Sequence, residues 1–159
     1  MMKKIFLTMA AMALICACSS EVEPLKYRGL SMGMPASQFI DSLVARGFAV
    51  DSAHSDSGSL SVLTSETATY KMLVAYRNDT LTAVQENYTA SDNDSTRQLW
   101  QQLRDDFEQE LGTWPNCPKL GDDHKIAKFE TEAGFITITL KNTYTPTLQL
   151  FYEVKLPEK

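Results

Sequence analysis

Tyr70-Lys71-Met72-Leu73-Val74-Ala75-Tyr76-Arg77 repeats with a period of two, so an extended chain puts Tyr70, Met72, Val74 and Tyr76 on one face and Lys71, Leu73, Ala75 and Arg77 on the other. The stretch is a strand with one aromatic face. Asn78-Asp79 follow it, two residues that tolerate positive φ and close a short hairpin. The same period runs from Phe48 to Tyr88, with breaks at Ser55-Asp56-Ser57-Gly58 and near Ser65-Glu66-Thr67. Residues 48–88 are therefore expected to form a meander of about four strands.

Working outward, the period changes. Upstream, Phe39, Ile40, Leu43 and Val44 recur at helical spacing, Pro35 suits a first helical position and Gly47 a left-handed cap, which gives a helix over about 35–46. Phe48 then falls where an apolar residue folds back on the last turn. Before this helix, residues 27–30 can begin a strand, with Gly29 and Gly33 bracketing a turn. Downstream, Ser91-Asp92-Asn93-Asp94 offers N-cap side chains, and Leu99, Trp100, Leu103, Phe107 and Leu111 follow at intervals of three and four up to Gly112. That predicts a second helix over about 95–111. Three strands complete the chain at residues 126–131, 135–140 and 147–154; Ile136, Ile138 and Leu140 share one face, as do Leu148, Leu150 and Tyr152.

The order is helix, four strands, helix, three strands. Consecutive hairpin-linked strands with segregated helices indicate an α+β fold, two helices on one face of an antiparallel sheet, rather than alternating βαβ units. A helix followed by a meander occurs in both halves, without a residue-level repeat that would prove duplication.

The N-terminus sets the compartment. Lys3 and Lys4 precede an apolar run from Ile5 to Ile15 that is too short to span a bilayer, and Cys16-Ala17-Cys18 closes it with small residues. This is the pattern of a cleaved export signal. Ile15-Cys16-Ala17-Cys18 also resembles the lipobox of bacterial lipoprotein signals, and that resemblance implies cleavage after residue 17 and lipidation of Cys18 with more than one fatty acyl chain, such as palmitate. One acyl chain anchors marginally and two anchor stably. Residues 18–26 then read as a flexible tether and 27–159 as a single domain. Glu21 and Glu23 partly resemble the acidic export signals of Bacteroidetes surface lipoproteins.

Loss of the leader takes two lysines and moves the formal charge from −5 to −7. An acidic chain without clustered Lys and Arg argues against nucleic acid as a partner. Of three cysteines, Cys16 leaves with the leader and Cys18 is taken by lipid, so Cys117 stands alone and the mature domain has no internal disulfide. Cys117, in Pro115-Asn116-Cys117-Pro118, is expected to be a small, partly buried loop residue rather than a reactive thiol.

Gly29-Leu30-Ser31-Met32-Gly33-Met34, Phe39-Ile40, Leu43, Arg46-Gly47-Phe48, the strand 70–77, Leu103, Leu111-Gly112 and Trp114-Pro115 together resemble small uncharacterised lipoproteins of Bacteroidetes. The helix-then-meander unit is similar in architecture to small outer-membrane assembly lipoproteins and to tandem β-lactamase-inhibitor proteins. This architectural similarity implies a protein-binding role without an active site, and fold analogy alone does not transfer function.

Chemistry-bearing patterns are sparse. Asp122-Asp123-His124 has spacing for two or three ligands to one metal, but a closed zinc site wants about four donors, so His124 reads as a solvated loop residue and no metal or cofactor is expected. Asp105, Asp106, Glu108 and Glu110 read as a solvated helix face rather than a glycosidase pair, which needs two carboxyls at fixed separation across a cleft. No serine stands in Gly-x-Ser-x-Gly or Ser-x-x-Lys. Asp41-Ser42-Leu43, Asp51-Ser52-Ala53, Asp79-Thr80-Leu81 and Asp94-Ser95-Thr96 resemble Bacteroidetes O-glycosylation acceptors where composition alone gives roughly one match. Ser42 falls inside the first helix, leaving Ser52, Thr80 and Ser95 as candidates.

The reading is a lipid-anchored, non-enzymatic protein-binding or assembly module of the bacterial outer membrane, with an envelope protein as partner. Its contact surface is the uncovered sheet face, where Tyr70, Tyr76 or Phe151 would serve as anchors unless, as preferred, they belong to the core. The alternatives are a secreted inhibitor or small-ligand-binding protein and, lastly, a hydrolase.

Overall fold

The computed structural model describes residues 22–89, 92–121, 123–142 and 145–156. The leader, Cys16, Cys18, Glu21 and Asp122 lie outside the described residues.

A two-strand hairpin comes first, β1 (Lys26–Tyr27) and β2 (Leu30–Ser31). Residues 27–30 are thus a turn flanked by strands and not the start of one strand. Arg28 and Gly29 both take positive φ, 47° and 80°, which reverses the chain in two residues. The tether also ends earlier than its composition suggests. Leu25 is buried and its carbonyl accepts from the Met32 N–H at 2.7 Å, so the body begins there.

Helix α1 (Ala36–Val44) buries Ala36, Phe39 and Leu43. Pro35 precedes the helix instead of opening it, with an extended ψ of 140°. The cap comes from the distant hairpin: the Asp79 carboxylate accepts from the Ser37 N–H at 2.7 Å, and the Asp79 carbonyl from the Ala36 N–H at 2.8 Å. At the other end the Phe48 N–H donates to Leu43 O and the Gly47 N–H to Val44 O, with Gly47 at φ 93°. This is a Schellman closure, whose last turn sequence spacing counts as helix.

Strands β3 (Ala49–Val50), β4 (Leu60–Thr64), β5 (Tyr70–Arg77) and β6 (Thr80–Thr89) form the first meander, turning at Asn78 and Asp79 with φ of 50° and 59°. Helix α2 (Asn93–Leu111) starts two residues before the expected 95 because Asp92 caps it, accepting from the Ser95 N–H. Gly112 ends it at φ 62°. The second meander is β7 (His124–Glu130), β8 (Gly134–Asn142) and β9 (Pro146–Val154).

All seven strands of the main sheet are antiparallel, in the order β3-β4-β5-β6-β9-β8-β7. The two meanders run inward from opposite edges and meet on their last strands. Register aligns the core in rows: Leu63, Met72, Glu86, Leu150, Ile138 and Ala127 in one, and Val74, Val84, Tyr152, Ile136 and Phe129 in the next. Both helices cover this one face. Tyr27 links them, its ring 5.9 Å from Phe39 of α1 and 5.2 Å from Tyr152, which in turn lies 6.0 Å from Phe107 of α2. The fold is α+β as expected, with the helix-then-meander order used twice. Both sheet edges are blunted: β3 has two residues, and residues 116–119 bridge β7 at Lys128 and Lys125. Among the described residues no helix is long and apolar enough to cross a membrane.

Candidate functional site

Because side chains alternate along a strand, each core row has a partner row on the opposite, helix-free face. One such row runs Val62, Leu73, Gln85, Phe151, Thr137 and Lys128; its neighbour runs Ala75, Ala83, Glu153, Phe135 and Glu130. Phe151 is half-buried at the centre of this open face. Beside it Asn87 Oδ1 accepts from Gln85 Nε2 at 2.7 Å and from Gln149 Nε2 at 3.0 Å, a cross-strand amide ladder that fixes the surface. Phe135 lies under two ammonium groups, Lys128 Nζ 3.9 Å and Lys155 Nζ 5.0 Å from its ring centroid. The face is mixed in charge and carries two aromatic rings.

The three aromatics proposed as anchors separate here. Tyr70 and Tyr76 pack on the margin of the core cluster: the Tyr70 ring is 5.0 Å from that of Tyr88, and Tyr76 opposes buried Leu81 past a bulge at Thr82. Phe151 alone belongs to the open face. Ser52 is exposed in a turn, Thr80 is exposed at the start of β6, and Ser95 is exposed in the first turn of α2 with its hydroxyl donating to Asp92 at 2.8 Å. Ser42 lies in α1 and donates to the Gln38 carbonyl.

Sequence reasoning missed the centre behind this face. Glu86 is fully buried on the core side of β6, at the seam between the meanders. Its carboxylate accepts from the Tyr27 and Tyr88 hydroxyls and from Arg28 Nε at 2.9 Å, and pairs with Arg28 Nη2 at 2.9 Å. Burial, then the Glu86 charge and hydrogen bond, push the Tyr27 and Tyr88 phenols far above their usual range, so both stay donors. Burial opposes the Arg28 charge, but the Glu86 hydrogen bond and charge outweigh it and hold the guanidinium ionised. The Arg28 carbonyl in turn accepts from Arg46 Nη1 at 2.9 Å. The cluster ties the N-terminal hairpin to β6, the strand at that seam. Its sequence signal was an acid in phase with Val84 and Tyr88 on an apolar stripe.

Comparison with known proteins found no matching family model, no matching curated protein and no matching solved structure.

The remaining candidates fall into place by geometry. His124 opens β7 and is half-buried, not a solvated loop residue, because residues 119–121 fold over the sheet edge there. With Trp100, Leu120 and Lys125 it lines a cavity of about 350 Å³. Among the described residues no three of His, Cys, Asp and Glu converge as a metal site. His54 is exposed and bonded to Asp51 at 2.8 Å. Cys117 is exposed, contrary to expectation, because its segment runs along the outside of β7. Its thiol is nonetheless pushed up by partial burial. On α2, Asp105 and Glu108 both pair with Arg104, while Asp106 and Glu110 are exposed.

Proposed function

We propose that this chain is a lipid-anchored outer-membrane lipoprotein, a non-enzymatic module that binds an envelope protein through the open face of its sheet. The observation that carries the reading is Phe151. It stands at the centre of a helix-free sheet face, ringed by Gln85, Thr137 and Gln149, outside the core cluster of the described residues. A large apolar ring within a fixed polar surround is the usual composition of an interface anchor. The amide ladder and the paired edges hold the surface in one shape before binding, which lowers the ordering cost of association. The lipobox-like Cys18 supports placement at the envelope.

The test is a photo-crosslinking phenylalanine analogue placed at 151, or at exposed Gln98 on α2, in intact cells. One discrete adduct from 151, absent from 98 and lost from the Phe151→Ser co-purification, supports the reading. Equal adducts from both positions, or none from 151, contradict it.

A further inference from the structure

Cys18 precedes Val22 by four residues. A fully extended chain spans at most roughly 3.3–3.6 Å per residue, so the anchor holds Val22 within about 14 Å of the modified cysteine's Cα. With the proposed anchor in place, the end of the body from which the tether leaves is the end nearest the bilayer, and its surface chemistry becomes informative.

That end sets exposed apolar side chains among charged ones. Val22, Leu111 and Ala133 line one depression together with Glu23, Lys26, Glu110 and Glu132, and the adjoining one shares Leu111, Thr131 and Glu132 and adds Thr113, Glu130 and Lys155. Trp114 follows Thr113 and is 84% exposed; Leu156 follows Lys155 and is 54% exposed; Val22 is 51% exposed. Lys155 fixes the Leu156 segment by donating from Nζ to Glu130 and to the Thr131 carbonyl, and from its N–H to the Ala133 carbonyl. The tether exit is fixed too, because Leu25 is seated on Gly134, where even a Cβ would come within 2.4 Å of it. Tryptophan is seldom left in water on a folded domain, and the membrane interface suits its amphipathic ring. Two ion pairs cross the patch, Lys26 with Glu23 and Lys155 with Glu130, while Glu110 and Glu132 have no ion pair among the described residues. Spare carboxylates suit headgroups that present an ammonium and disfavour anionic lipid.

We infer that this end is a membrane-docking surface, in which Trp114, together with Val22 and Leu156, enters the interface of a bilayer presenting zwitterionic headgroups. The inference rests on the lipid anchor proposed above. Docking fixes the domain's orientation relative to the membrane.

The experiment uses the lipidated protein from its native host, reconstituted into vesicles of phosphatidylcholine and phosphatidylethanolamine, some of it brominated near the headgroup. Trp100 is buried and donates to the Ile138 carbonyl at 3.3 Å, so it supplies a steady background that Trp114→Ser measures. Expected are a blue-shifted Trp114 emission, a several-fold loss of acrylamide quenching and quenching by the brominated lipid that vanishes in Trp114→Ser. A vesicle-bound protein whose Trp114 is as open to acrylamide as in the unlipidated Cys18→Ala chain overturns the docking surface and leaves the anchor standing. Protection of Trp114 in native membranes but not in these vesicles overturns it in favour of a protein cover. A protein of unmodified mass that does not float with vesicles removes the anchor, and the docking surface with it.

Discussion

Arg28→Met removes the cation that pairs with buried Glu86 while keeping side-chain length and the left-handed backbone at φ 47°. A hydrogen bond to a charged group contributes about 1.5–3 kcal/mol, and breaking a fully buried ion pair costs roughly 3–5 kcal/mol. Water reaches the arginine side of this pair, whose side chain is 48% exposed, while the glutamate is at 0%. The two tyrosine hydroxyls remain as donors to Glu86. The lower range therefore applies, and about 2 kcal/mol is expected, roughly 6–8 °C in Tm for a domain of this size. Urea denaturation followed by tryptophan fluorescence, with a thermal scan by circular dichroism, reads both. In the Glu86→Gln background the charge left behind is gone, so the double variant should be more stable than Arg28→Met alone. A loss under about 0.5 kcal/mol, or a double variant no better than the single, would refute the view that this pair ties the hairpin to the sheet.

Alkaline unfolding should be cooperative: Tyr27, Tyr88 and Tyr152 have phenol pKa values raised above the ordinary value near 10, first by burial and then by Glu86. The folded state keeps protons that the unfolded state gives up, so this stability is complete below about pH 10 and lost progressively above it; tyrosinate absorbance reaching the full amplitude of all six tyrosines with circular dichroism unchanged would contradict it. Gly134→Ala places a Cβ 2.0 Å from the Glu153 carbonyl oxygen and 2.4 Å from Leu25, and should cost at least about 2–3 kcal/mol in chemical denaturation as β8 and β9 part; a neutral result would mean that the strands are not held this closely. Cys117 is exposed yet has a raised thiol pKa, so iodoacetamide at neutral pH should alkylate it more slowly than a free cysteine, and faster alkylation would assign it a reactive role.

The architecture was legible wherever the chain alternates cleanly. The stripe Tyr70, Met72, Val74, Tyr76 and those of β8 and β9 gave the core face, and Gly47, Gly112 and Asn78-Asp79 gave the turns, because positive φ restricts residue type. What was missed depends on partners far apart in sequence. Asp79 caps a helix 42 residues away, and Arg28 meets Glu86 across 58 residues. No local pattern encodes either contact. Tyr70 and Phe151 look equivalent as strand aromatics, and only the β6–β9 register places them on opposite faces. Exposure of Cys117 follows from its segment pairing outside β7, again a long-range event.

The central claim is the lipid at Cys18, and intact mass with fragmentation of the N-terminal peptide from the native host tests it most directly. Expected is a chain that begins at Cys18, its sulfur in a thioether and more than one acyl chain in the added mass, with any hexose mass confined to Ser52, Thr80 or Ser95. A free thiol on an unmodified start, or a chain that keeps its leader, would contradict it.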